Sequence, residues 1–228
     1  IDPRMYEAHY NLGKLFEKID NLDKAKYHLI EAILLNPTSF EGIFSLARIL
    51  VKLEKFSEAV NFFQKTLAIE PGNAEAFNGL AFALEKSERL DDAIKFYEKS
   101  LVLKPNEVMT LSNLGHALLS SGRAEEAINY FKKCLEIEPD NQIIWDRYLF
   151  SLLFSNNSNR KFIFKENKRW AATIEDKISK LVDFSNFYLN PNKKIKIGYY
   201  SKEFYSHVTS LFFETLLKYH NREFFEIH

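Results

Sequence analysis

The chain has 228 residues in which 31 Lys and Arg balance 31 Asp and Glu, so no net charge draws it to nucleic acid or to an anionic membrane. A single cysteine, Cys134, excludes an internal disulfide framework, and no apolar run reaches the roughly 20 residues that a membrane-spanning helix needs. Length and composition point to a soluble, cytoplasmic protein of one or two domains.

The organising feature is a tripeptide of an aliphatic residue, a polar residue and proline. It occurs as Ile1-Asp2-Pro3, Leu35-Asn36-Pro37, Ile69-Glu70-Pro71, Leu103-Lys104-Pro105 and Ile137-Glu138-Pro139, once every 34 residues. So regular a period marks a repeat array. The chain opens on this tail tripeptide and without methionine, so its first residue is not expected to be the native start.

The repeats are expected at 6–39, 40–73, 74–107 and 108–141, each as two amphipathic helices split by a polar break. In the third, a helix over 74–86 carries Phe77, Leu80, Ala81 and Leu84 at helical spacing, and a helix over 90–103 does so with Ala93, Ile94, Tyr97 and Leu101. The proline ends the second helix, because it lacks a backbone donor and disfavours helical geometry in the residue before it. Each hairpin must bury its apolar face against a neighbour.

Residues 141–192 are expected to cap the array and join it to the C-terminal stretch. Residues 141–154 begin like a fifth unit, with Trp145 and Tyr148 at the apolar positions. After the polar break Ser155-Asn156-Asn157-Ser158-Asn159, a helix over about 161–182 has none of the repeat's small residues. From residue 193 the pattern changes to a strand over 195–200, a polar loop over 201–206, a helix over 209–219 and a second strand from 224. The strand at 195–200 predicts packing on the joining helices or self-association through its edge.

The repeats resemble tetratricopeptide repeats. The matching residues are Leu12, Gly13, Phe16, Ala25, Ala32 and Pro37 in the first unit, and Leu46, Ala47, Leu50, Ala59, Phe63 and Pro71 in the second. Leu80, Ala81, Leu84, Ala93, Tyr97 and Pro105 follow in the third, then Leu114, Gly115, Leu118, Ala127, Phe131 and Pro139 in the fourth. The resemblance implies a right-handed superhelix whose first helices line a concave groove. It places Tyr10, Asn11, Lys14, Phe44, Ser45, Arg48, Asn78, Phe82, Asn113 and His116 along that groove.

Amides there suit a peptide backbone and aromatics its side chains, so a peptide or protein is the expected partner. The competing account has Phe44 and Phe82 packing against the adjacent repeat. Of an asparagine ladder seen in sugar-transferring relatives, Asn11 and Asn113 match, whereas Ser45 and Gly79 do not. Cys134, where the family often has alanine, reads as a small buried thiol.

Residues 196–211, from Lys196-Ile197-Gly198-Tyr199-Tyr200-Ser201 through His207 to Leu211, resemble the opening of the catalytic region of O-linked N-acetylglucosamine transferases and their SPINDLY-type relatives. Arg169-Trp170-Ala171 matches a helix that precedes that region in bacterial members. The resemblance implies that 193–228 is the truncated first βαβ unit of a GT-B type glycosyltransferase domain.

For the full-length parent it implies sugar transfer from UDP-N-acetylglucosamine to serine or threonine, without an essential metal and with His207 at the sugar-nucleotide site. Glu203, Val208 and Leu211 depart from the family's aspartate, proline and second histidine. The chain itself is expected to need no cofactor, to catalyse nothing and to act as a peptide-binding module. The alternative is a stand-alone repeat adaptor with a short capping element.

Overall fold

The computed structural model describes residues 3–181, 195–197 and 225–227. The chain divides into two compact units, residues 1–173 and 174–228.

The first unit is an αα-hairpin solenoid. Its helices are α1 (Pro3–Lys18), α2 (Leu22–Leu35), α3 (Phe40–Lys52), α4 (Phe56–Ile69), α5 (Ala74–Lys86), α6 (Leu90–Leu103), α7 (Val108–Ser120), α8 (Ala124–Ile137), α9 (Gln142–Leu152) and the greater part of α10 (Arg160–Leu181). Through α9, each helix packs on the one before it.

Short polar side chains cap the starts of α3, α5 and α9. Ser39 Oγ accepts from the Gly42 amide at 3.1 Å, Asn73 Oδ1 from Ala76 at 2.9 Å and Asn141 Oδ1 from Ile144 at 3.2 Å, each satisfying an orphan donor of the first turn. The turn inside each hairpin needs one left-handed residue, and this recurs at the repeat period: Asp20 (φ 57°), Glu54 (57°), Glu88 (61°) and Gly122 (81°). Only the fourth repeat places there the residue that adopts this conformation without a Cβ penalty.

The core is the seam between paired helices. Ala25, Ala59, Ala93 and Ala127 are fully buried at equivalent positions, which lets backbones approach closely. Gly13 and Gly115 do the same from the partner helix: a Cβ on Gly115 would stand 2.8 Å from the Phe131 ring, and one on Gly13 2.7 Å from Leu29 Cγ. Large side chains fill the remaining space, with Phe63, Tyr97, Phe131, Leu80 and Leu114 all essentially inaccessible. Burying each contributes about 1.5–3 kcal/mol.

Buried polar groups on the seam are paired. Ser100 Oγ donates to the Ala74 carbonyl at 2.8 Å across the hairpin, and Thr66 Oγ1 to Phe62 O at 2.8 Å. Cys134 is the buried thiol expected from its position. Its Sγ lies 3.7 Å from Val108 O, and burial pushes its pKa up to about 11, so it stays protonated and unreactive at neutral pH.

α9 and α10 close this unit differently. Trp145 and Tyr148 are buried as expected, with Trp145 Nε1 donating to Pro139 O at 2.7 Å. From α10, Phe162, Ile163 and Trp170 pack on the core, Glu166 accepts from the Tyr148 hydroxyl at 3.2 Å, and the Arg169 guanidinium lies 5.4 Å from the Trp145 ring centre. Arg169 and Trp170 thus have a packing role that accounts for them within the cap.

In the second unit, β1 (Ile195–Ile197) and β2 (Phe225–Ile227) pair in parallel, Ile195 opposite Phe225 and Ile197 opposite Ile227. They fall within the two expected strands. The loop over 201–206, the helix over 209–219 and His207 lie outside the described residues.

Candidate functional site

The first helices of repeats two to four present a concavity of about 610 Å³. Five residues expected in the groove meet there: Phe44 and Arg48 from α3, Asn78 and Phe82 from α5, and Asn113 from α7. Helical spacing explains the grouping, since residues four apart stand one above the other on a helix face. Phe44, Arg48 and Lys52 form one such row on α3, and Asn78, Phe82 and Lys86 another on α5.

The floor is apolar. Phe44 packs edge-on against Phe63 with ring centres 6.0 Å apart and stacks on Phe40 at 5.6 Å, yet both Phe44 and Phe63 still line the concavity. Phe44 therefore packs and lines at once, which joins the two alternatives that its position left open. Phe82 lies beneath the ammonium of Lys86, 5.4 Å from its ring centre. Met109, 58% exposed, extends this surface onto α7.

Asn78 is set in this wall with its Oδ1 enclosed and without a hydrogen-bond partner. An unpaired buried acceptor costs about 1–3 kcal/mol.

Charge is divided across the concavity. At one end Arg48 and Lys52 reach Glu17 of α1 at 3.4 and 3.0 Å, and Lys14 reaches the same carboxylate at 2.9 Å. Burial alone would raise the Glu17 carboxyl, but hydrogen bonds from Lys14 and Lys52 and the nearby charges outweigh it and hold it below the usual range. Opposite, Glu75 and Glu107 share the wall with Lys104, whose ammonium is 3.2 Å from Glu75.

The other expected groove residues stand outside this concavity. Tyr10 stacks on Tyr6 with ring centres 6.0 Å apart, Asn11 is exposed on α1, and Lys14 is engaged with Glu17. His116 places Nδ1 2.8 Å from Glu85, which also accepts from the Tyr97 hydroxyl at 2.8 Å. Burial, then the Glu85 charge, pushes the Tyr97 hydroxyl well above its usual range.

Ser45, expected to face the groove, is instead buried, 5% exposed. A side chain is excluded at Gly79, since a Cβ there would meet the Phe63 ring well inside contact distance. The asparagine ladder is interrupted at both positions for these packing reasons.

Lys52, Phe63, Glu75, Lys104, Glu107 and Met109 line the concavity without being legible from the repeat pattern. Phe63 belongs to a second helix, and Lys104 and Glu107 flank a turn, so the phase of the first helices does not point to them. Among the described residues, no group of three or more His, Cys, Asp or Glu is placed to hold a metal ion.

Sequence profiles of the tetratricopeptide repeat family match residues 6–39, 43–75 and 72–139. The chain is a tetratricopeptide repeat protein. Among solved structures, MamA has a TM-score of 0.67 at 16% identity, covering 82% of this chain and 98% of that one. MamA from Desulfovibrio magneticus RS-1 gives 0.68 at 16% identity over 77% of this chain and 97% of that one. YrrB, described as a TPR protein with an unusual peptide-binding site, gives 0.62 at 20% identity over 76% and 88%. At these identities the likeness establishes the fold. No curated protein matches the sequence.

Proposed function

We propose that this tetratricopeptide repeat protein is a protein-binding module, and that the concave wall of its second to fourth repeats takes an extended peptide segment of a partner. The observation that carries this reading is the combination of half-open aromatic floor and unsatisfied amide around Asn78. Solvent-facing packing alone gains nothing from an enclosed acceptor with no partner. Turned outward, the Asn78 amide would meet the backbone donors that an extended peptide offers, while the floor takes its side chains. YrrB, on a similar fold, has a peptide-binding site. Among the described residues no helix is long and apolar enough to cross a membrane. We place the protein in the cytoplasm, where its one cysteine, the buried Cys134, stays a free thiol.

The test is selection from a displayed random peptide library, followed by affinity measurement on purified protein. Selected peptides are expected to lose about tenfold or more in affinity on Phe82→Ala and Asn113→Ala, as hot-spot truncations do. A library that yields no binder, or binders indifferent to both substitutions, would refute the reading.

A second reading concerns the parent protein. The parallel pairing of β1 and β2 is the arrangement a βαβ crossover produces, and the reading of residues 193–228 as the start of a GT-B type domain, after a joining segment at 141–192, rests on the resemblance of residues 196–211. In that reading a longer form of the protein takes UDP-N-acetylglucosamine as sugar donor, with His207 near the donor. Calorimetry on the protein expressed to its natural stop codon tests it. Donor binding that is lost on His207→Ala is expected, and a folded protein that binds no donor would rule it out.

A further inference from the structure

The charge around the concavity carries the peptide-binding reading further, to the chemistry of the peptide. Lys14, Arg48 and Lys52 converge on the single carboxylate of Glu17, which is itself nearly enclosed, with its side chain 9% exposed. Each cation keeps about two-fifths to one-half of its side chain in solvent. One buried carboxylate therefore leaves this cluster with surplus positive charge facing outward at the groove's rim. Across the groove the balance reverses, with Glu75 and Glu107 sharing Lys104. Glu75 at the start of α5 and Lys52 at the end of α3 suit the dipoles of their helices, whereas Glu17, in the last turn of α1, does not. Dipole complementarity does not require three cations on one acid.

We infer that the bound peptide carries an aspartate or glutamate side chain beside an apolar anchor, on one flank only. The anchor rests on Phe44 and Phe82, and the acidic group faces Arg48 and Lys52. Spacing sets the register. Arg48 and Lys52 follow Phe44 by one and two helical turns, about 6 and 12 Å along the axis. An extended chain advances about 3.3 Å per residue and the facing side chains add reach, which puts the acidic residue about one to three positions from the anchor. On the opposite flank an acidic residue would meet Glu75 and Glu107 and is disfavoured.

This inference rests on the peptide-binding reading, and the test separates the two. A synthetic positional-scanning library, acetylated and amidated at its ends, holds a central leucine fixed and varies three residues on either side. Amidation removes the terminal carboxylate, so any acidic preference belongs to side chains. Asp and Glu are expected to be preferred on one flank by about tenfold over Asn and Gln, the order of effect of a close charge pair at an interface. That preference should fall to near parity in the protein carrying Arg48→Gln and Lys52→Gln. Both cations are about half exposed, so the double variant should stay folded, with only a small drop in its unfolding midpoint from the loss of two Glu17 partners.

Peptides that bind without an acidic preference, or with one that survives the double substitution, overturn the inference and leave peptide binding intact. Binding that appears only when the library ends in a free carboxylate also overturns it, since the cluster then reads a chain terminus. No binding by any library member overturns both.

Discussion

The seam between paired helices and the concave wall share one period and obey opposite rules. Along the seam the same kind of residue returns at each step: Ala25, Ala59, Ala93 and Ala127, then Leu46, Leu80 and Leu114, all buried. Along the first helices, equivalent positions carry Tyr10, Phe44, Asn78 and Ser112, or Lys14, Arg48, Phe82 and His116, and of these the wall takes Phe44, Asn78, Arg48 and Phe82. Repetition on the seam is what stacking requires, because every repeat must fit its neighbour. Variation on the wall gives each step a different chemistry, and there the enclosed Asn78 Oδ1 goes without a partner. The contrast separates what makes the solenoid from what it presents.

Substitutions that cross this division sharpen it. The largest effect is expected on the seam: Phe131→Ala empties the space against Gly115 and should cost about 3–5 kcal/mol in chemical unfolding, without altering affinity for a groove peptide. Equal loss of affinity in the still-folded variant would break the separation.

Next come the hairpin turns, which belong to neither surface. Gly122→Ala imposes a Cβ at φ 81° and should destabilise by about 1 kcal/mol, whereas Glu88→Gly at φ 61° should stabilise by somewhat less. Thermal unfolding midpoints moving in opposite directions for the two variants are the expected result.

The smallest effect is electrostatic. The Glu17 carboxyl is held below its ordinary value, so its ionised form adds stability that is present above the unfolded-state pKa and is lost as pH falls through the folded one. The exposed cations around it limit this to below about 1 kcal/mol. Parent and Glu17→Gln should differ most near neutral pH and converge as pH falls through the folded-state pKa. A gap that widens on acidification would contradict this sign.

The seam is legible in the sequence because burial imposes composition: small residues at 25, 59, 93 and 127 and prolines at 37, 71, 105 and 139 have no other reason to keep step. The concave wall is legible only in part. Phe44, Arg48, Asn78, Phe82 and Asn113 follow from the resemblance to the repeat family, and the structure brings them together. Phe63 does not follow, because it serves the seam and the wall at once, and its dual place depends on Gly79 leaving room for its ring. Glu17 looks like an ordinary surface acid in α1, and its role emerges only when α3 brings Arg48 and Lys52 beside it. Ser45, placed in the groove by the resemblance, is buried in the structure.

Asn78→Leu tests the central claim most directly, since it replaces an unsatisfied amide in the wall with an apolar side chain of similar size. The measurement is unfolding stability and peptide affinity on the same variant. If the wall is kept for binding, the substitution should leave stability equal or higher while peptide affinity falls about tenfold, because the free protein no longer encloses an unpaired acceptor. A variant that loses stability and keeps its affinity would show that Asn78 belongs to the seam, and the division proposed for this protein would not hold.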